Sequence, residues 1–208
     1  KIVKARMAWK VRSNPDSFGQ YEDVLITNYL KELPNITPKE HKNAEETIYK
    51  IYKNQTYTYT LNLIKTLKQK NYLIFAISGS PQSIVDVMTK NLGFNGAIGA
   101  VLEQKNGKYT GKVTTPIFDK SAAVQKLINM HKLSLKGSIA IGDSKSDIAM
   151  LSSVERGIAF NPDANLYNAS IKNGWDIVIE RKNVVYQLKA DANKNYILLQ
   201  DIGQNNAT

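Results

Sequence analysis

The feature that most constrains this fold is the alternation of helical and strand patterns that begins after Tyr57. A helical pattern over residues 61–67 precedes five short apolar stretches, which lie at 72–77, 97–102, 138–141, 157–160 and 176–179. Because strands that alternate with helices usually pair in parallel, the pattern predicts an α/β fold with a doubly wound parallel sheet. Asn106-Gly107 adds a predicted two-residue hairpin turn beside that sheet.

Residues 1–57 differ from the rest because they carry only helical patterns. The first residues read as the middle of a helix, and apolar positions at helical spacing continue over residues 18–33. Thr37-Pro38-Lys39-Glu40 has the form of a capping box with proline at the first helical position. The sequence therefore predicts two units, a helical one over residues 1–57 and an α/β one over residues 58–208.

Composition excludes several classes of protein. The chain of 208 residues has no cysteine, which rules out disulfides, zinc thiolates and a cysteine nucleophile. No apolar window approaches the roughly 18 residues of a membrane span. The net charge of +10 comes from lysines scattered along helices, without a recognised nucleic-acid-binding motif. We therefore expect no nucleic-acid and no membrane partner, and a cytoplasmic location.

Two acids follow the apolar stretch at 138–141. Asp143 comes directly after Gly142, and Asp147 lies four residues further on. Strand tips are where open parallel sheets bind ligands, and a carboxylate without a nearby arginine suits a hard cation such as Mg2+. The alternative is that these acids only form a turn and cap the following helix.

A hydroxyl and a glycine, Ser78 and Gly79, follow the stretch at 72–77 and precede a helical pattern. A hydroxyl beside backbone N–H groups at a helix start can cradle a phosphate. Ser80 or Ser83 could equally act as a simple helix cap. Lys120 opens another amphipathic helix, where the helix dipole disfavours a cation. Taken alone, this lysine reads as an ordinary solvent-exposed residue.

The order Ser78, Lys120, Asp143 and Asp147 resembles the second, third and fourth motifs of the haloacid dehalogenase superfamily of phosphohydrolases, in its phosphoserine phosphatase-like branch. Further matching segments lie at 92–94, 109–112, 158–163 and 174–175, so the resemblance covers residues 65–179. It implies that Ser78 and the Gly79 backbone bind the phosphoryl group and that Lys120 neutralises it. It also implies that Asp143 binds Mg2+ and that Asp147 binds or orients the metal site.

One part of the family pattern is missing from this chain. The first motif of the family is Asp-x-Asp, whose first acid is the nucleophile and whose second is the general acid and base. No Asp-x-Asp occurs in the 208 residues. The resemblance therefore implies that the nucleophile and the first core strand lie upstream of Lys1. It also places residues 1–57 where the family has the helical cap that selects the substrate.

The resemblance implies a Mg2+-dependent phosphomonoester hydrolase that acts on a small phosphorylated metabolite through an aspartyl-phosphate. Two alternatives stay open: a catalytically inactive phosphatase-like binding module, and a phosphotransferase. Phosphoserine recognition would require an arginine and an acid in the cap, and neither Arg6 nor Arg12 matches such a pattern. His41 and His131 are expected to be ordinary surface residues. The substrate and the oligomeric state are not indicated by the sequence.

Overall fold

The amino-terminal region is helical, as expected. A computed structural model describes residues 1–11, 13–14, 16–182 and 184–199. The first three helices are α1 (Ile2–Lys10), α2 (Ser17–Glu32) and α3 (Pro38–Tyr52). The capping box before α3 is confirmed, since Glu40 N donates to Thr37 Oγ1 at 3.2 Å and Thr37 N donates to Glu40 Oε2 at 2.8 Å.

Helices and strands alternate in the rest of the described chain. The helices are α4 (Thr58–Gln69), α5 (Gln82–Asn91), α6 (Lys120–His131), α7 (Ile148–Ser152) and α8 (Ala164–Asn173). The strands are β1 (Phe75–Pro81), β2 (Gly96–Lys105), β3 (Lys108–Thr114), β4 (Ile139–Gly142), β5 (Arg156–Phe160), β6 (Asp176–Arg181), β7 (Val184–Ala190) and β8 (Tyr196–Leu199). All five predicted strands are present, and no helix among the described residues has the length and apolar character needed to cross a membrane.

The strands form two mixed sheets, which corrects the prediction of one parallel sheet. One sheet has the order β1-β2-β3, with β1 and β2 parallel and β3 antiparallel. The other has the order β4-β5-β6-β7-β8, with three parallel strands followed by two antiparallel ones. The antiparallel strands arise where a tight turn returns the chain directly, as at Asn106 and Gly107, whose φ angles are 50° and 74°.

The best-buried part of the molecule surrounds β5. Ile158 and Phe160 pack on one face of this strand with residues of α4, whereas Ala159 packs on the other with Leu166 of α8. Neighbouring residues of a strand point to opposite faces, so β5 is covered on both sides. In β1, by contrast, every position is half-buried or exposed.

A groove separates the two sheets. Among the described residues, β1 pairs only with β2, and β4 pairs only with β5. The groove has a volume of about 2420 Å³ and is lined by both strands together with residues of α4 and α6. The predicted fraying of residues 203–208 lies outside the described residues.

Candidate functional site

The predicted site residues gather around the end of this groove. Ser78 lies in β1, Asp143 follows β4, and Lys120 begins α6, and all three line the groove. Lys120 is not a solvent-exposed lysine. Its Nζ atom lies 2.6 Å from Asp147 Oδ1, and the two residues are only 8% and 3% exposed. Lys120 is therefore held by Asp147, a partner that the sequence did not indicate.

The Asp147 carboxylate lies against the backbone that follows β4. Its Oδ2 atom accepts hydrogen bonds from Asp143 N at 3.0 Å, Ser144 N at 3.0 Å and Ser144 Oγ at 3.1 Å. Glycine is needed at position 142, because a Cβ there would lie 2.8 Å from Asp147 Oδ2 and closer still to its Cγ. With both oxygens engaged, Asp147 is better suited to orient the site than to bind a cation directly.

The carboxyl group of Asp143 has fewer described hydrogen-bond partners than that of Asp147. Burial raises its pKa, the neighbouring Asp147 carboxylate raises it further, and Lys120 lowers it. In the part of the chain that the structure describes, no side chain of another residue donates a hydrogen bond to this carboxyl group. Asp143 is therefore the acid that has free oxygens for a cation.

Ser78 and Gly79 line the same groove as Asp143, from the β1-β2-β3 sheet. Ser78 Oγ accepts a hydrogen bond from Ser80 N at 3.1 Å, which is the local turn that its position before a helix favours. Gly79 is exposed, and a Cβ there would meet Ile117 Cδ1 at 3.1 Å. Gly79 is thus an exposed residue of the groove lining, where a small residue leaves the backbone accessible.

Sequence reasoning missed Asp163, which ties the loops after β4 and β5 together. Its backbone N–H donates to Asp143 O at 2.9 Å, and its Oδ2 accepts from Lys145 N at 2.9 Å. Its Oδ1 caps α8 through Leu166 N at 2.7 Å. The sequence signal, an acid after Asn161-Pro162, predicts the cap, but the link to the β4 loop spans about twenty residues and has no local pattern.

Glu22 of α2 was also missed. It lines the same groove, and its pKa is raised first by burial and then by the charge of Asp143. The helical region thus contributes an acid to the site, although no sequence spacing connects Glu22 with Asp143. Arg6, by contrast, is exposed on α1, and Arg12 lies outside the described residues.

His41 is buried, which corrects the prediction that it is an ordinary surface residue. It is only 7% exposed, and its Nε2 atom lies 2.6 Å from the Tyr29 hydroxyl. Its ring also packs against Tyr109 of β3, with the ring centroids 5.3 Å apart. These partners come from distant parts of the sequence, so the local pattern around His41 could not reveal them. His131 is exposed, as predicted.

The donor atoms fit part of a magnesium site. Mg2+ usually takes one or two carboxylates and completes its shell with water and substrate oxygens. Asp143 suits one such position. Among the described residues, no three side chains of the types His, Cys, Asp or Glu lie together so that they could hold a metal ion. Further ligands would have to come from outside the described residues or from substrate.

Curated proteins include relatives of this chain that are named phosphoserine phosphatases. A phosphoserine phosphatase of Mycobacterium tuberculosis, SerB1, is 31% identical over 137 residues, which cover 64% of this chain and 44% of that protein. A phosphoserine phosphatase of Methanocaldococcus jannaschii is 28% identical over 195 residues, which cover 91% of this chain and 82% of that protein. The chain spans less than half the length of SerB1 and of two other mycobacterial relatives.

A solved structure gives the fold of this chain, and a family comparison gives its family. A phosphoserine phosphatase crystallised in apo form shares the fold, with a TM-score of 0.60 and 22% identity over 88% of this chain and 85% of that chain. The sequence model of the haloacid dehalogenase-like hydrolases matches residues 18–152, the span that holds Ser78, Lys120, Asp143 and Asp147. This chain therefore belongs to the haloacid dehalogenase-like hydrolase family.

Proposed function

We propose that the protein is a Mg2+-dependent phosphomonoester hydrolase that acts on a small phosphorylated metabolite through an aspartyl-phosphate. The observation that carries the proposal is the buried Lys120–Asp147 pair, which lies beside the available carboxyl group of Asp143 at a strand end. Phosphoryl transfer depends mainly on positioning and on neutralising charge on the phosphoryl oxygens. Lys120 supplies a fixed positive charge, and the Asp143 carboxylate can hold a cation. Together they meet the need for positioning and for neutralisation of charge.

Each residue has a defined role in this proposal. Lys120 neutralises phosphoryl oxygens, and Asp147 holds its ammonium group in place. Ser78 Oγ and the Gly79 backbone donate hydrogen bonds to the phosphoryl group, while Asp143 provides a carboxylate ligand for Mg2+. The ion, when bound, would neutralise further charge on the phosphoryl oxygens. The nucleophilic aspartate and the general acid belong to a segment outside these 208 residues, which we place before Lys1.

The residues 1–57 serve as the cap in this proposal. Glu22 is one of several cap acids that line the groove, and the described lining contains no arginine. The relatives carry the name phosphoserine phosphatase. We propose the broader class of small phosphorylated metabolites, because the arginine that would pair with a substrate carboxylate has no counterpart among the groove residues.

The first test is hydrolysis of p-nitrophenyl phosphate by the longest translated form of the gene, with Mg2+ and with EDTA. We expect turnover only with Mg2+, and Asp143→Asn should abolish it. Asp86→Asn is the matched control, since Asp86 is an exposed acid on α5 and should leave turnover unchanged. Turnover that persists in Asp143→Asn would contradict the metal assignment.

A second candidate, a phosphate-binding module without catalysis, is favoured by the absence of Asp-x-Asp from the sequence. It predicts that phosphate binds to the longest form, that Ser78→Ala weakens this binding, and that no turnover occurs. The phosphotransferase alternative predicts a new phosphorylated product when an alcohol such as glycerol is added to the hydrolysis assay. If added glycerol leaves the ratio of products unchanged, the transferase alternative is contradicted.

A further inference from the structure

One contact joins the helical region to the segment that follows Ser78 and Gly79. Ser83, in the first turn of α5, donates a hydrogen bond from its Oγ atom to Oε1 of Glu45 on α3 at 2.6 Å. The two residues are 38 positions apart, so no local pattern connects them. Among the described residues, this is the only side-chain hydrogen bond between residues 1–57 and α5. The helical region therefore reaches the start of α5 through Glu45.

The start of α5 has no acid of its own. Pro81 precedes the helix and makes no side-chain cap hydrogen bond, and the first turn contains no acidic residue. The first N–H groups of a helix lack partners within the helix and carry partial positive charge, which a nearby carboxylate stabilises. Glu45 supplies such a carboxylate from α3, and its bond to Ser83 holds it beside this turn.

Strand β2 also holds the start of α5. Gly99 N donates to Gln82 Oε1 at 2.5 Å. A Cβ on Gly99 would lie 2.7 Å from Gln82 Cα and 3.0 Å from Ser80 O, so the backbone here packs closely against β2. Residues 78–81 lead directly into this helix start. Their position therefore depends on how β2 and α3 hold the first turn of α5.

Glu45 is itself held by two residues of the helical region. His41 Nδ1 lies 3.6 Å from Glu45 Oε1, and His41 Nε2 lies 2.6 Å from the Tyr29 hydroxyl. The side chains of His41 and Glu45 are only 9% and 15% exposed. Burial and then the charge of Glu45 raise the pKa of Tyr29 to about 12, so its hydroxyl stays protonated at neutral pH. These contacts restrict the orientation of the Glu45 carboxylate, which has no role among the groups that would bind phosphate or metal.

We propose that Glu45 is a positioning residue for the phosphate-binding turn at residues 78–81. Through Ser83 it fixes the first turn of α5, and the helix start fixes the hydroxyl of Ser78 and the backbone of Gly79. The link between α3 and α5 rests on the contacts described above, whereas phosphate as the ligand rests on the proposed function. The helical region then contributes to phosphate binding through a residue that does not touch phosphate.

The test is to titrate the longest translated form of the gene with inorganic phosphate and Mg2+ by isothermal titration calorimetry. Loss of one hydrogen bond should weaken binding about three- to tenfold in Glu45→Ala and in Ser83→Ala. Glu45→Gln keeps an acceptor for Ser83 and should bind phosphate more tightly than Glu45→Ala. Glu46→Ala is the matched control, because Glu46 is the exposed acid next to Glu45 on α3. Wild-type affinity in Glu45→Ala and Ser83→Ala, or no rescue by glutamine, would overturn the proposal.

A double variant separates positioning from a general loss of stability. Both single substitutions break the same bond, so Glu45→Ala combined with Ser83→Ala should bind phosphate no more weakly than the weaker of the two single variants. In hydrolysis of p-nitrophenyl phosphate, KM should rise while kcat is unchanged, as for a loss of uniform binding. A residue that only stabilises the fold would lower the denaturation midpoint and leave the affinity of the folded protein unchanged. Additive losses of affinity would contradict a link through this bond.

Amide hydrogen exchange tests the link without any ligand and so separates it from the proposed function. We expect faster exchange in the amino-terminal half of α5 in Glu45→Ala and Ser83→Ala, with α8 unchanged as the internal control. This pattern in a protein that binds no phosphate would contradict the proposed phosphate site and keep the link. Wild-type exchange in α5 would overturn the link, whether or not the protein hydrolyses phosphate esters. Because Ser83 is exposed, Ser83→Ala keeps the test decisive if Glu45→Ala fails to fold.

Discussion

The two strand ends beside the groove differ in how their side chains are held. In the β4 tip (residues 143–147), Asp147 accepts hydrogen bonds from the backbone of Asp143 and Ser144 and from Lys120. In the β1 tip (residues 78–81), the described side-chain hydrogen bond runs only from Ser80 N to Ser78 Oγ. The β4 tip is thus preorganised by buried polar contacts, whereas the β1 tip depends on its own local turn.

The same contrast extends into the sheets. β5 and β6, beside β4, contain fully buried residues such as Ile158 and Ile177, but no residue of β1 is fully buried. Among the described residues β1 and β4 each pair with one strand, so an open edge does not distinguish them. The firmer half of the site is the one that stands beside the fully buried strands β5 and β6. Four experiments with variants test this contrast.

The largest effect is expected for Lys120→Ala, which leaves the Asp147 carboxylate buried without its cation. Breaking a buried ion pair from one side destabilises a protein by about 3–5 kcal/mol. Chemical denaturation of Lys120→Ala and of the exposed control Lys126→Ala should show this loss in the first variant only. In the catalytically complete form, Lys120→Ala should also lower turnover by several orders of magnitude. Wild-type stability and turnover would mean that the pair does not organise the site.

The second experiment compares a glycine beside the β4 tip with a glycine in the β1 tip. Gly142→Ala places a Cβ against the firmly held Asp147 carboxylate, so we expect a loss of about 1–3 kcal/mol in the free energy of unfolding. Gly79→Ala meets only the flexible end of Ile117, at 3.1 Å, and should be milder. Thermal and urea unfolding of the two variants measure the difference. A greater loss for Gly79→Ala would reverse the comparison.

Two helix caps provide the third test. Asp119 caps α6 through Ala122 N at 2.9 Å, and Asp163 caps α8 through Leu166 N at 2.7 Å. Asp163 also accepts from Lys145 N in the β4 tip, so Asp163→Ala should cost about 0.5–1.5 kcal/mol more than the roughly 1 kcal/mol of Asp119→Ala. Urea unfolding measures both. Equal losses would show that the bond to Lys145 contributes nothing to stability.

The smallest effect is a gain in stability for Asp143→Asn without Mg2+. Burial and the Asp147 carboxylate raise the Asp143 pKa, so the native state holds a proton more tightly than the unfolded chain. Stability from this group is therefore present at low pH and is lost as the pH rises through the raised pKa. At neutral pH, Asn should therefore be the more stable residue, by a small amount because solvent screens the exposed Asp143 side chain. If chemical denaturation at neutral pH shows that Asp143→Asn is less stable than the wild type, this reasoning is contradicted.

Local patterns predicted much of the fold and little of its tertiary arrangement. Residues 72–77 and 157–160 were recognisable as strands, and Thr37 as a capping residue, because each signal lies within a few positions. The division into two sheets and the strands β7 and β8 were not predicted, since pairing partners are set by contacts between distant segments.

The candidate site was likewise predicted where its signal is local and missed where it depends on distant residues. Asp143 and Lys120 stood out because a bare acid after a strand and a cation at a helix start are local anomalies. The sequence left two roles open for Asp147, and one of the contacts that favour orientation over metal binding comes from Lys120, 27 positions away. Asp163 and His41 were missed or misjudged for the same reason, because the partners that define them are remote in sequence.

The order of strands within each sheet follows their order along the chain. In the part of the chain that the structure describes, every pairing therefore joins consecutive strands, and the loops that must close during folding are short compared with the length of the chain. Loop closure of this kind is entropically cheap and favours rapid folding. We expect the β1–β3 and β4–β8 segments to behave as two separate cooperative units in native-state hydrogen exchange, with the docking of one unit on the other as the slower step.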